Sequence, residues 1–190
     1  MAKGFQSRSA VESILERHRI FQRLARFDPR WVGSIPLNVH NAGADADICC
    51  TGGDDLPGFK AALETEFGGL SDARIEDNTH AGEASVIAYF TLDGLPFEIY
   101  GRARPVESHE SYIHWFAEDR LLQLAEARLQ DDVRAAKADG LKTEPAFAAC
   151  LKLGGDPYVE LLKLASPGDA ALLQILVRAG YAARGARAGS

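Results

Sequence analysis

The sequence predicts an α+β fold, a mixed β-sheet with flanking helices followed by a helical C-terminal third, on three observations. Apolar residues recur at helical spacing ahead of the first strand-like run. Short runs rich in β-branched and aromatic residues then fill the chain to Tyr100, and from Ser108 the pattern is wholly helical, punctuated by proline and glycine. With 190 residues, 46% of them hydrophobic, the chain has the length of one domain with a small helical appendage.

The first helix is expected from Ser9 to Leu24, with Val11, Ile14, Leu15, Phe21 and Leu24 on one face and a cap near Ser9. After Asp28-Pro29 comes the apolar piece Trp31 to Ile35, then a Pro/Asn/Gly-containing stretch to Gly43 in which 35–39 reads as extended, and then a strand from Asp45 to Cys50. Leu56 to Phe67 reads as a helix stopped by Gly68-Gly69. Strands follow at Ala73 to Asn78 and Ala84 to Leu92. Asp93-Gly94 marks a hairpin into a strand from Leu95 to Tyr100, closed by Gly101. Helices are expected at Ser108–Leu124, Glu126–Ala138, Pro145–Leu153, Pro157–Leu164 and Pro167–Tyr181. The expected division is a core over 1–106, a helical portion over 107–181 packed on it, and a flexible tail over 182–190.

Lys and Arg number 21 against 27 Asp and Glu, a net charge of -6, so no overall positive field draws the chain to nucleic acid or anionic lipid; no DNA partner and no membrane are expected. A local basic patch stays open. Cys49, Cys50 and Cys150 form no disulfide framework, and MAKGFQSRSAVESILERHR contains no signal-like apolar run, so a cytoplasmic location is the expectation.

Strand side chains alternate, so Asp45 and Asp47 share one face while Ala46 and Ile48 take the other. The same rule separates Glu98 from Phe97 and Ile99. If the two strands are neighbours, three carboxylates converge, and their repulsion calls for a cation or raised pKa values. Hard Mg²⁺, one or two ions, suits an all-oxygen site that also takes phosphate. By itself an Asp-x-Asp strand reads more readily as a solvated face than as a site. The pair Gly33-Ser34 after an apolar piece adds a place where backbone N–H groups can approach phosphate.

Val32-Gly33-Ser34, Asp45-Ala46-Asp47 and Glu98 together resemble the nucleotidyltransferase superfamily. WVGSIPLNVHNAGADADICC, PFEIYGRARPV, HWFAEDRLL, GLKTEPAFA and GDPYVELL further resemble a bacterial domain-of-unknown-function family, numbered 4269, over roughly Phe27 to Leu164. The superfamily resemblance implies a nucleotidyltransferase-like sheet, with Asp45 and Asp47 holding metal, Glu98 completing a second metal site and activating the attacking hydroxyl, and Gly33 and Ser34 contacting nucleotide phosphates. The implied partners are a nucleoside triphosphate and a small-molecule, protein or RNA acceptor. Ala44 stands where such proteins often carry serine, and the extended reading of 35–39 departs from their helix at the glycine-serine pair. The same residues also fit a catalytically inactive nucleotide-binding or partner-binding protein of this fold.

Arg102 and Arg104 follow the Glu98 strand and could balance the carboxylates or bind triphosphate; Lys142, ahead of a helix that Thr143 would cap, could reach a phosphate. Cys49 falls on the acidic face and Cys50 on the core face, both read as buried and structural. His109 and His114, on one expected helix, read as surface or packing residues, and Trp115, Phe116, Phe147 and Tyr158 as core.

Overall fold

The computed structural model describes residues 6–80 and 82–185. Helix α1 (Arg8–Arg17) begins one residue earlier than expected, because Ser7, not Ser9, accepts the capping bond from the Ala10 N–H at 3.3 Å. It does not run to Leu24. Arg19 takes a left-handed φ of 53°, and the chain restarts as the short α2 (Ile20–Arg23). Both still bury apolar residues, among them Val11, Ile14, Leu15 and Ile20.

Strands β1 (Arg30–Val32), β2 (Ala46–Thr51), β3 (Arg74–His80), β4 (Glu83–Leu92) and β5 (Leu95–Arg102) form one sheet in the order β1-β2-β5-β4-β3. β2 and β5 pair in parallel and the other neighbours pair antiparallel, so the sheet is mixed. Helix α3 (Leu56–Phe67), capped by Asp55, connects β2 to β3. The β4–β5 turn places both Asp93 and Gly94 at positive φ, 50° and 77°, as the Asp-Gly signal requires. One sheet face is apolar, with Ala46, Ile48, Cys50, Val86, Ala88, Phe90, Phe97 and Ile99 buried in one cluster with residues of α1, α2 and α3. Phe90 stacks on Phe67 at 4.5 Å and on Phe97 at 5.1 Å.

Gly101 does not close β5 but lies inside it. A Cβ there would fall 2.3 Å from the Phe59 ring, so glycine is the residue that lets α3 approach the strand. Ser34 to Asn38 form turns rather than an extended segment, with Asn38 at a φ of 57°.

The chain divides into two compact units: residues up to 36 with 42–112, and residues 37–41 with those from 113 onward. The second unit carries most of α4 (Glu110–Leu124), then α5 (Ala127–Ala138), α6 (Thr143–Cys150), α7 (Pro157–Lys163) and α8 (Asp169–Ala179). Its own core gathers Leu121, Leu129, Val133, Phe147, Leu161, Leu172 and Leu176 with Leu37 and Val39. Gln130 and Arg134 donate to the Leu37 and Asn38 carbonyls at 2.8 and 2.7 Å, which ties the 37–41 segment to α5. Thr143 is the first residue of α6 rather than its cap, and its hydroxyl accepts from Lys137 Nζ at 2.6 Å. Phe147 is core as expected, whereas Phe116 and Tyr158 are 38% and 39% exposed. Of the expected flexible tail, Ala183 bridges Ala125 and Arg184 donates to the Leu124 carbonyl at 2.8 Å; residues 186–190 lie outside the described residues.

Candidate metal centre

The parallel register of β2 and β5 sets Asp47 directly opposite Glu98. Asp45, just ahead of β2, falls on the same face by alternation. The result is one carboxylate oxygen from each of Asp45, Asp47 and Glu98 within 4.8 Å of the others, with Asp45 exposed and the other two half-buried. Burial, and then the charge of Asp45, raise the Glu98 carboxyl above the usual carboxylate range. An all-oxygen donor set this close suits a hard divalent cation, which would remove the repulsion that raises Glu98.

Antiparallel pairing of β1 puts Val32 opposite Asp47, and Gly33 follows with a φ of 78°. A Cβ on Gly33 would fall 2.1 Å from Asp47 Oδ2. Backbone and carboxylate therefore meet at a distance only glycine permits. Ser34, half-buried, continues into the turn, so no helix N-terminus forms at the glycine-serine pair.

On the other side of Glu98 the same cross-strand row continues to Tyr89 on β4 and Arg74 on β3. The Arg74 guanidinium lies 5.0 Å from the Tyr89 ring centroid, and it pairs with Glu76 at 3.5 Å. The Tyr89 hydroxyl is held protonated, first by burial and then by the neighbouring Glu98 charge. Neither Tyr89 nor Arg74 is distinguished by sequence pattern. Alternation in SVIAYFTL assigns Tyr89 a face, but only the register tells that Glu98 is its neighbour.

Further along β2 and β5 the face becomes a buried polar network. His109 lies ahead of α4 rather than within a helix and is fully buried. Its Nε2 faces the Arg104 carbonyl at 3.1 Å, which can only accept, so Nε2 carries the proton and Nδ1 accepts from the Cys49 thiol at 2.9 Å. Burial pushes the Cys49 thiol up to about 11, and burial lowers His109. The pair is a neutral hydrogen bond, not an activated nucleophile. Arg102 is 2% exposed and is held by Glu110 at 2.8 Å, by Glu83 at 3.3 Å and by the Tyr100 hydroxyl. Arg104 pairs with the same two acids at 3.5 and 2.8 Å. The triphosphate role expected of Arg102 thus meets a guanidinium already engaged on three sides. Lys142 belongs to the second unit, where it is exposed ahead of α6. His114, also in that unit, is buried and bonds the Tyr158 carbonyl at 2.9 Å, a packing role.

A family model described as "Domain of unknown function (DUF4269)" matches residues 13–164. No curated protein matches the sequence. Among solved structures, the Cid1 poly(U) polymerase bound to MgGTP shares the fold at a TM-score of 0.54 and 13% identity, over 84% of this chain and 50% of that one. A cytoplasmic RNA terminal U-transferase gives 0.53 and 12%, over 84% and 48%. The GLD-2/RNP-8 complex gives 0.51 and 10%, over 76% and 56%. The chain spans about half the length of these structures, and at such identities the likeness is one of fold: this is a nucleotidyltransferase-like fold.

Proposed function

Starting from a chain that belongs to the family described as Domain of unknown function (DUF4269), a description that names no reaction, we propose that it is a Mg²⁺-dependent nucleotidyltransferase. It would move a nucleoside monophosphate from a nucleoside triphosphate to an acceptor hydroxyl. The observation that carries this reading is the convergence of Asp45, Asp47 and Glu98 within 4.8 Å on a sheet of this fold.

Asp45, Asp47 and Glu98 would hold one or two Mg²⁺ ions, which supply neutralisation of phosphate charge and acidification of the attacking hydroxyl. The acceptor oxygen forms a bond to the α-phosphorus while the bond to the bridging oxygen breaks, and pyrophosphate leaves in line. Glu98, opposite Asp47 on the neighbouring strand, is the group suited to complete the second metal position and help activate the acceptor hydroxyl. Gly33 keeps the chain close behind Asp47, and the backbone at Gly33 and Ser34 is the part suited to phosphate oxygens. Restraint of the reactants and fixed charges, rather than a covalent intermediate, supply the acceleration.

The test is isothermal titration with Mg²⁺ and non-hydrolysable ATP, GTP, CTP and UTP analogues, paired with pyrophosphate release from the natural triphosphates. Metal-dependent binding to at least one analogue, lost or weakened at least tenfold in Asp47→Asn, is expected. A wild-type protein that binds none of the four would sink the proposal. The turn at Ser34, in place of a helix end, favours a second reading, a nucleotide-binding protein without turnover. That reading predicts binding unaffected by Asp47→Asn and no pyrophosphate.

A further inference from the structure

The cross-strand row through the carboxylates is asymmetric. Gly33 bounds it on the β1 side, while on the β4 and β3 side it runs on through Tyr89 to Arg74. In-line displacement sets the leaving pyrophosphate and the attacking hydroxyl on opposite sides of the α-phosphorus. With phosphates against Gly33 and Ser34, the acceptor comes from the side of β4 and β3. Alternation gives that side Tyr89 and Ile87 on β4 and Arg74, Glu76 and Asn78 on β3.

We propose that Tyr89, Arg74 and Glu76 form the acceptor subsite, and that the acceptor is a small hydroxyl-rich molecule of the sugar class rather than a polynucleotide; the inference rests on the nucleotidyl-transfer reading of the carboxylates. The Arg74 guanidinium covers one face of the Tyr89 ring, 5.0 Å from its centroid, and the opposite face is the apolar platform for the C–H face of a sugar ring. The guanidinium and the Glu76 carboxylate beside it, 3.5 Å apart, present donors and acceptors to vicinal hydroxyls. Two strand spacings separate Glu98 from the Arg74 strand, about 10 Å, which fits one or two sugar rings. Charge decides against a polynucleotide. Arg74 is the sole cation among the five residues named and is matched by Glu76, the metal ligands beside it are acidic, and the whole chain carries -6. A nucleic acid acceptor needs several phosphate-neutralising cations in a row.

The experiment is saturation-transfer NMR on the full chain with Mg²⁺ and a non-hydrolysable triphosphate analogue. The probes are methyl α-glucopyranoside, glucosamine, trehalose and a short oligoadenylate. At least one sugar receives saturation. Its affinity falls roughly tenfold in Tyr89→Ala and in Arg74→Ala but is kept in Tyr89→Phe, while affinity for the analogue is unchanged in all three. Saturation of the oligoadenylate alone, of no probe, or of sugars indifferently to Tyr89→Ala overturns the acceptor assignment. A wild-type protein that fails to bind the analogue overturns the transfer reading beneath it instead.

Discussion

Glu98 is the residue on which the proposed metal binding and the stability of the fold oppose each other. Its folded pKa is raised, by burial first and Asp45 second, so its contribution favours the fold below the ordinary carboxylate range and is lost as pH rises through the raised value. In the absence of metal, Glu98→Gln should therefore melt roughly 2–4 °C higher than wild type at neutral pH, with the two converging in acid. Mg²⁺ should reverse the order, because the wild type, with all three carboxylates, binds it more tightly than the variant does. Scanning calorimetry with chelator and with metal reads both halves, and a wild-type advantage in chelator would contradict this. At Gly33, alanine meets two penalties, a φ of 78° and a Cβ 2.1 Å from Asp47 Oδ2. Gly33→Ala should weaken Mg²⁺ binding at least tenfold through displacement of Asp47, an outcome that titration calorimetry checks.

At the scale of elements, β5 does most to build the site: one face packs Phe97 and Ile99 into the core and the other presents Glu98, Tyr100 and Arg102. Gly101→Ala should cost roughly 1–3 kcal/mol in chemical denaturation, because the added methyl meets the buried Phe59 ring; no measurable cost would show that α3 yields. In the helical unit, α4 buries Glu118 with Oε1 lacking a hydrogen-bond partner, and burial, then Glu144, raises its carboxyl well above the ordinary range. The same sign applies as for Glu98: stability from Glu118 is lost as pH rises. Glu118→Gln should flatten the fall in melting temperature from mildly acid to neutral pH, and an unchanged pH profile would contradict that.

Much of this was legible in the sequence because it depends on local rules. Alternation separates Asp45, Asp47 and Glu98 from the core residues, and Asp93-Gly94 forces its hairpin. What was illegible depends on contacts between distant segments. Gly101 resembles a strand stop until Phe59 is seen against it, His109 resembles a helix residue until Cys49 takes its Nδ1, and Tyr89 gains meaning only from its register with Glu98. The single helix expected over Ser9–Leu24 failed because Arg19 adopts a left-handed φ that periodicity does not encode.

For the whole molecule, the carboxylates, Gly33, Tyr89 and the Cys49–His109 network all belong to the first unit, while the second has a separate core that draws in Leu37 and Val39. The carboxylate cluster is thus carried by a five-stranded sheet and its three backing helices. No helix among the described residues is long and apolar enough to cross a membrane. The chain reaches about half the length of the polymerase and transferase structures that share its fold, so its chemistry has to be read from its own residues. The most direct test is an Mn²⁺ titration followed by the electron paramagnetic resonance of the free ion, in wild type, Asp45→Asn, Asp47→Asn and Glu98→Gln. Saturable binding of one or two ions by the wild type, weakened at least tenfold in each variant, is the result expected of a metal centre here. Binding equal in all four proteins, or none in the wild type, would contradict it.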